Sequence, residues 1–293
     1  MSSFGFVILH YKTFTETYET IKSIISLPRA GRDVAIVVVD NASENGSTEK
    51  LIELFKAYKE ITFIKNKENL GFSKGNNVGF INLKKRGYDY IILSNNDIKV
   101  ISQDFYDKIE RDYRKYQFAV LGPGIKNPND GRTGCRVIPP TIGFVRGRIF
   151  RLRIKYYARH LYKIYDRKKR NKQTNILDNK FDENLFCKWK NVTIHGCFFV
   201  LSEKYINQFD GLNTSTFMYA EEELLFIRLM SNNMISIYDP EIEVFHEEGA
   251  ATTYEGKILS KEAYRRHIKA QKVLLKELKK YPETQKIRGE KCE

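Results

Sequence analysis

The sequence predicts an α/β fold: a Rossmann-like, mostly parallel central sheet flanked by helices, with a basic helical insertion and a C-terminal helix. Three observations predict it. Short apolar runs alternate with amphipathic stretches through the N-terminal third. The apolar runs are continuous, the pattern of strands covered on both faces. Two basic stretches with helical spacing follow, one in the middle of the chain and one at its end.

Taken in order, Phe4 to His10 (FGFVILH) reads as the first buried strand. Thr13 and Glu16 have the spacing of a capping box, and Tyr18, Ile21 and Ile25 continue at helical spacing. Ala35 to Asp40 (AIVVVD) is a second strand. Leu51, Leu54, Phe55 and Tyr58 mark a second helix, and Ile61 to Ile64 a third strand. Ser73 is placed to cap a third helix, with Gly87 as its terminator. Tyr90 to Leu93 is a fourth strand running into Asn95, Asn96 and Asp97. Val192 to Leu201 reads as one core strand, Phe217 to Met230 as a helix, and Ile235–Tyr238 and Ile242–Phe245 as short strands. Ser260 to Lys280 is a final basic helix with Tyr264, Ile268, Leu275 and Leu278 on one face.

Strands joined by helical crossovers pair in parallel with right-handed connections. Such sheets bind ligands outside the carboxyl ends of their strands. Here those ends carry His10 and Tyr11, Asp40 and Asn41, Asn66 to Gly71, and Asn95 to Asp97. Polar groups thus converge on one edge of an apolar sheet.

Composition sets the outer bounds. At 293 residues and 42% apolar, the chain builds one large folded domain. The expected division is a main domain over 1–250, with the basic insertion at 146–175, and a basic extension over 251–293. No apolar run reaches membrane-spanning length, and the N-terminus does not read as a secretory leader. Four scattered cysteines fit free thiols in a reducing cytoplasm. A net charge of +14 points to an anionic partner: a nucleoside diphosphate, acidic lipid or nucleic acid.

Five places offer chemistry. Asp40, ending the second strand, suits a base N–H or ribose hydroxyl, and equally suits a turn with Asn41 and Ser43. Asn69 to Asn77 leads into a helix N-terminus, where free N–H groups and Lys74 attract anions. Asp97 suits a hard divalent cation beside a diphosphate, or a turn. Glu221, Glu222 and Glu223 either complement a helix dipole or supply a general base of raised proton affinity. His246 ends a short strand before Gly249, and taken alone reads as a structural histidine.

Taken together, VVDNAS (38–43), NLGFSKGNN (69–77), LSNND (93–97) and FMYAEEELL (217–225) with Arg228 resemble the family 2 glycosyltransferases of GT-A fold, in order and spacing. Within that family the likeness is nearest to bacterial rhamnosyltransferase-like enzymes of surface polysaccharide and capsule synthesis. The resemblance implies a nucleotide-sugar donor, a glycan or lipid-diphosphate-linked glycan acceptor, and transfer with inversion. It implies that His10, Tyr11, Asp40, Asn41, Asn69, Gly71, Lys74 and Asn96 line the nucleotide site. Asp97, the last carboxylate of the DXD-type motif, and His246 would hold Mn²⁺ or Mg²⁺. Glu222 would be the catalytic base, with Glu221 and Glu223 its rivals. Two positions depart from the pattern: Asn95 replaces the first aspartate of the DXD motif, and Glu222 replaces an aspartate.

The stretch from Arg146 to Lys172 holds twelve Lys and Arg against one acid, Asp166. Phe150, Ile154, Tyr157, Leu161 and Ile164 recur within it at helical spacing. That pattern suits peripheral attachment to an anionic membrane surface on the cytoplasmic side, or a helix packed on the core with solvated charges. Nucleic-acid binding has the charge but no recognition motif. A sugar-nucleotide pyrophosphorylase would need a glycine-rich loop after the first strand, where His10, Tyr11 and Lys12 stand. A catalytically inactive nucleotide-sugar-binding subunit of the same fold is the remaining alternative.

Overall fold

The computed structural model describes residues 1–128, 131–158, 183–247 and 260–292. The N-terminal third forms β1 (Ser3–His10), α1 (Phe14–Ile25), β2 (Asp33–Asp40), α2 (Ser47–Phe55), β3 (Ile61–Lys65), α3 (Phe72–Lys85) and β4 (Tyr90–Asn95). These strands lie in the order β3-β2-β1-β4, all parallel. The chain moves outward from β1 to β3, then returns to place β4 on the other side of β1. The carboxyl ends of β1 and β4 therefore flank the point where strand order reverses, the place where such sheets bind ligands.

The rest of the sheet is mixed. After β5 (Ile98–Val100) and α4 (Phe105–Tyr116) come β6 (Val120–Lys126), β7 (Arg132–Thr133), β8 (Cys135–Arg136) and α5 (Ile142–Tyr157). Then follow β9 (Trp189–Lys190), β10 (Thr193–Ile194), β11 (Phe198–Ser202), α6 (Glu203–Gln208), α7 (Glu221–Ser231), β12 (Ser236–His246), α8 (Lys261–Lys280) and β13 (Glu290–Lys291). β11 runs antiparallel between β4 and β6, while β12 runs parallel to β6. The predicted α/β class holds as a mixed central sheet between helices.

Both faces of the sheet are dry. Phe4, Phe6 and Ile8 of β1 pack with Ile21 of α1, Leu51 of α2 and Phe105 of α4. The alternate residue Val7 packs with Phe80 and Leu83 of α3 and with Phe226 of α7. That is why these strands read as unbroken apolar runs; each buried large side chain contributes about 1.5–3 kcal/mol. A third cluster joins Val145 and Ile149 of α5, Leu224 and Ile227 of α7, and Ala270, Leu274 and Leu278 of α8. Through it, and through β13 pairing with β9, residues beyond 260 share the core and the sheet.

Several local expectations are revised. The capping box at Thr13 does not form; its hydroxyl instead accepts from Asn96 Nδ2 at 2.6 Å. Gly71, not Ser73, stands at the N-cap of α3, while Gly87 ends that helix with φ +79°. The run 192–201 is broken at His195–Cys197 rather than forming one strand. α7 begins at Glu221, because Tyr219 (φ +77°) and Ala220 (φ +68°) hold left-handed backbone. On α5 the buried stripe is Val145, Ile149 and Leu152, so the predicted stripe of Phe150, Ile154 and Tyr157 faces outward. Leu161, Ile164 and Gly249 lie outside the described residues.

Candidate active site

The carboxyl ends of β1, β2 and β4 lie side by side. His10 is in register with Asp40, and Leu9 with Asn95. Asp40 is buried, and one of its oxygens accepts from Ser43 N at 3.0 Å and Ser43 Oγ at 2.5 Å. Both readings of Asp40 thus share one residue: a turn closed by one oxygen, at the edge where a ligand would lie.

Asn41 organises the neighbouring loop. Its Nδ2 donates to Asn69 Oδ1 and to the Gly71 carbonyl, and its Oδ1 accepts from Asn66 Nδ2 and Leu70 N. Asn69 Oδ1 also accepts from Gly71 N at 2.9 Å. Asn41 and Asn69 therefore spend these atoms shaping the loop, and only their remaining polar surface is available to a ligand. Lys74 stands exposed on the first turn of α3. Tyr11 is half-buried, with the Lys12 ammonium 4.9 Å from its ring centre.

His10 corrects the expectation of a nucleotide contact. Its ring is fully buried, with Nδ1 2.7 Å from Thr17 Oγ1 and Nε2 2.8 Å from Ser47 Oγ. Burial lowers its pKa from 6.5 to about 4, against the opposing pull of Asp40 and Glu49. It is a neutral clamp between β1, α1 and α2. Asn96 is likewise turned inward, donating to Thr13 and Thr17. Both stand behind the site and shape it from there.

Asp97 and His246 do meet. Asp97 Oδ1 lies 3.2 Å from His246 Nε2, without hydrogen-bond alignment. Asp97 Oδ1 and His246 Nδ1 are buried and have no hydrogen-bond partner among the described residues. A carboxylate oxygen left unsatisfied beside an imidazole is a donor set that fits a divalent cation. No group of three or more His, Cys, Asp or Glu side chains among the described residues could hold one alone. The remaining ligands would then be diphosphate oxygens, as is usual for Mg²⁺. His195, which the sequence reading passed over, brings its ring centre to 6.2 Å from that of His246. Only the glycine after it, inside an apolar run, hinted at a break there.

The three glutamates separate into distinct roles. Glu223 is buried and accepts from Arg136 Nη1 at 3.2 Å and Arg148 Nη1 at 3.0 Å. Arg148 also donates to Gln271 on α8, so Glu223 ties α7 to α5 and α8. Glu222 Oε1 accepts from Gly196 N at 2.6 Å, and its Oε2 accepts from Arg136 Nη2. Burial alone would lower the Arg136 pKa; Glu222 and Glu223 outweigh it and raise it. Burial, with the charges of Glu222 and Glu223 adding to it, pushes the Glu221 carboxyl from 4.5 up to about 7.

Two backbone links bring these parts together. Asn95 N donates to the Cys197 carbonyl at 2.9 Å, so the turn that orients Glu222 is fastened to the last residue of β4, two residues before Asp97. Phe72 N donates to the Phe217 carbonyl at 2.8 Å, joining the start of α3 to the loop before the glutamates. Arg136 also lines a pocket of about 310 Å³ with Ile138, Pro139, Pro140 and Phe144.

Comparison with known proteins bears on the fold and the family. A search of curated proteins finds no match. The S. aureus TarS fragment 1–349 in complex with UDP-GlcNAc has a TM-score of 0.56 at 13% identity, over 95% of this chain and 66% of that one. GalNAc-T7 with UDP, GalNAc and Mn²⁺ also has a TM-score of 0.56 at 13% identity, over 84% of this chain and 44% of that one. The mannosyltransferase PcManGT from Pyrobaculum calidifontis, with GDP-Man and Mn²⁺, has a TM-score of 0.50 at 11% identity, over 96% and 72%. At such identities the likeness is one of fold, and the chain spans less than two thirds of the TarS fragment's length. Residues 6–209, more than half of the 293, match the family described as Glycosyl transferase family 2, a span that ends before Glu221. On that match the chain belongs to glycosyl transferase family 2.

Proposed function

We propose that this chain is an inverting glycosyltransferase. It moves a sugar, rhamnosyl or another hexosyl group, from a nucleoside-diphosphate sugar to a hydroxyl of a glycan or lipid-diphosphate-linked glycan. The setting is bacterial surface polysaccharide or capsule synthesis, at the cytoplasmic face of the membrane. The observation that carries the reading is the turn 195–197. It bonds to the Asn95 amide of the β4 edge, two residues before Asp97, on one side and to Glu222 on the other, so the proposed cation ligand and the proposed base lean on one turn.

In this mechanism the loop 69–77 and Asp40 seat the nucleotide, with the start of α3 facing negative charge through the N–H groups of Ser73 and Lys74, since that of Phe72 is held by Phe217. A divalent cation bound at Asp97 and His246 would supply charge stabilisation to the leaving diphosphate. Glu222, oriented by Gly196 and Arg136, accepts the acceptor hydroxyl proton as the new glycosidic bond forms and the sugar–phosphate bond breaks. Such proton transfer contributes roughly 10²–10⁴-fold. A single displacement from the face opposite the diphosphate inverts the anomeric centre. The nucleotide sugars and Mn²⁺ named with the structural relatives support this donor class and metal.

The test is calorimetric titration with UDP, dTDP and GDP, with and without Mn²⁺, on the wild type and Asp97→Ala. The expected result is metal-dependent binding of one nucleotide, lost in the variant. Absence of binding to all three would overturn the proposal. The replacement of an expected aspartate by Asn95 keeps one second reading open, an inactive donor-binding subunit. That reading predicts nucleotide binding with no donor turnover in the presence of any acceptor.

A further inference from the structure

The outer face of α5 is apolar where a packed helix would be polar. The helix is anchored by Val145, Ile149 and Leu152, which are at most 8% exposed. Phe150, Ile154 and Tyr157, at intervals of four and three residues, are 66%, 48% and 80% exposed. They lie on one side of the helix, away from the buried stripe. Arg146, Arg151 and Arg153 stand exposed among them, and the helix contains no acidic residue.

The cationic surface continues onto α8. Arg153, Tyr156 and Tyr157 line a groove of about 460 Å³ with Arg265, Lys269 and Lys272. Arg265 has Glu262 as a distant partner at 3.8 Å. Arg146, Arg151, Arg153, Lys269 and Lys272 have no ion-pair partner among the described residues. The exposed aromatic and aliphatic side chains are the part of this surface that water disfavours, and the arginines among them share α5 with no neutralising acid. They match a boundary where anionic headgroups meet acyl chains.

We propose that α5 and the α5–α8 groove form a docking surface for an anionic lipid bilayer. The axis of α5 lies along the membrane plane. Phe150, Ile154 and Tyr157 enter the acyl boundary, while the arginines and lysines meet lipid phosphates. Among the described residues no helix is long and apolar enough to cross a membrane, so the attachment is interfacial. The apolar component separates this partner from nucleic acid. A duplex is met at its phosphates by cations and polar donors, to which the aliphatic Ile154 on the solvent face adds nothing, whereas an acyl boundary takes it together with Phe150.

Sedimentation with vesicles tests the proposal, using the full chain and phosphatidylcholine with or without about 30% phosphatidylglycerol. The wild type is expected to bind the anionic vesicles and not the neutral ones. The triple variant Phe150→Ser, Ile154→Ser, Tyr157→Ser and the charge variant Arg151→Glu, Arg153→Glu, Lys269→Glu, Lys272→Glu are each expected to bind at least about tenfold more weakly. Melting curves and nucleotide titration without vesicles confirm that the variants remain folded. Three results would overturn the proposal: no wild-type binding to anionic vesicles, equal binding by the serine variant, or tighter binding of the same surface to a single-stranded oligonucleotide. Donor binding is measured in the same samples without lipid, so failure of the transferase reading shows separately from failure of membrane docking.

Discussion

The Gly196 amide donates to Glu222 Oε1 at 2.6 Å while Arg136 holds the other carboxylate oxygen. In the proposed mechanism a carboxylate fixed at both oxygens meets the acceptor hydroxyl in one orientation. Glu222→Gln keeps the shape and removes the proton acceptor. It is expected to lower kcat by roughly 10²–10⁴-fold with donor-nucleotide affinity unchanged. Steady-state kinetics beside calorimetry check this; full activity in the variant would move the role to Glu221.

The same contact predicts the effect of a single methyl group. A Cβ at position 196 would lie 3.1 Å from Glu222 Oε1, tight enough to push the carboxylate aside. Gly196→Ala should reduce kcat about tenfold or more while leaving the KM for the donor near the wild-type value. A rise in donor KM with unchanged kcat would show that the turn serves the nucleotide instead.

Gly71 is the tightest point between the two halves of the site. It has φ +78°, and a Cβ there would fall 2.1 Å from the Phe217 carbonyl oxygen. Gly71→Ala must therefore both strain the backbone and separate Phe72 from Phe217. The expected cost is at least about 2 kcal/mol of stability, with nucleotide binding lost as well. Thermal melting and nucleotide titration measure it, and an unchanged melting point would contradict this account.

His10 and Glu221 set opposing pH slopes. Burial lowers His10 from 6.5 to about 4, so the unfolded chain binds more protons there and stability is lost as pH falls through that range. Burial raises Glu221 from 4.5 to about 7, so the folded chain binds more protons and stability is lost as pH rises through that range. Where the ranges overlap the two effects offset each other. Glu221→Gln should expose the His10 slope, with melting temperature climbing from pH 4 to 6.5, and should stabilise the protein above pH 7. A melting profile parallel to the wild type would remove Glu221 from this role.

The parts legible in the sequence are those governed by local pattern. The strands β1 to β4 follow from unbroken apolar runs, and their carboxyl ends follow from the crossover rule, which placed Asp40 and Asp97 at one edge. What the sequence concealed depends on partners far along the chain. His10 reads as an edge residue until Thr17 and Ser47 enclose it. The turn 195–197 hides inside an apolar run because its neighbours on both sides are buried strands. The late start of α7 rests on left-handed Tyr219 and Ala220, residue types that give no warning of such backbone. On α5, two apolar stripes compete at helical spacing, and only packing against α7 and α8 shows which one is core.

The bond from Phe72 N to the Phe217 carbonyl runs between main-chain atoms, so no side-chain replacement at either residue, other than proline at 72, deletes it directly. Side chains along both loops can be exchanged without unfastening the seam between them. Its vulnerability is concentrated at Gly71, where a single codon change introduces the atom that forces the loops apart. In a diverging lineage, that glycine would persist long after its neighbours had been exchanged.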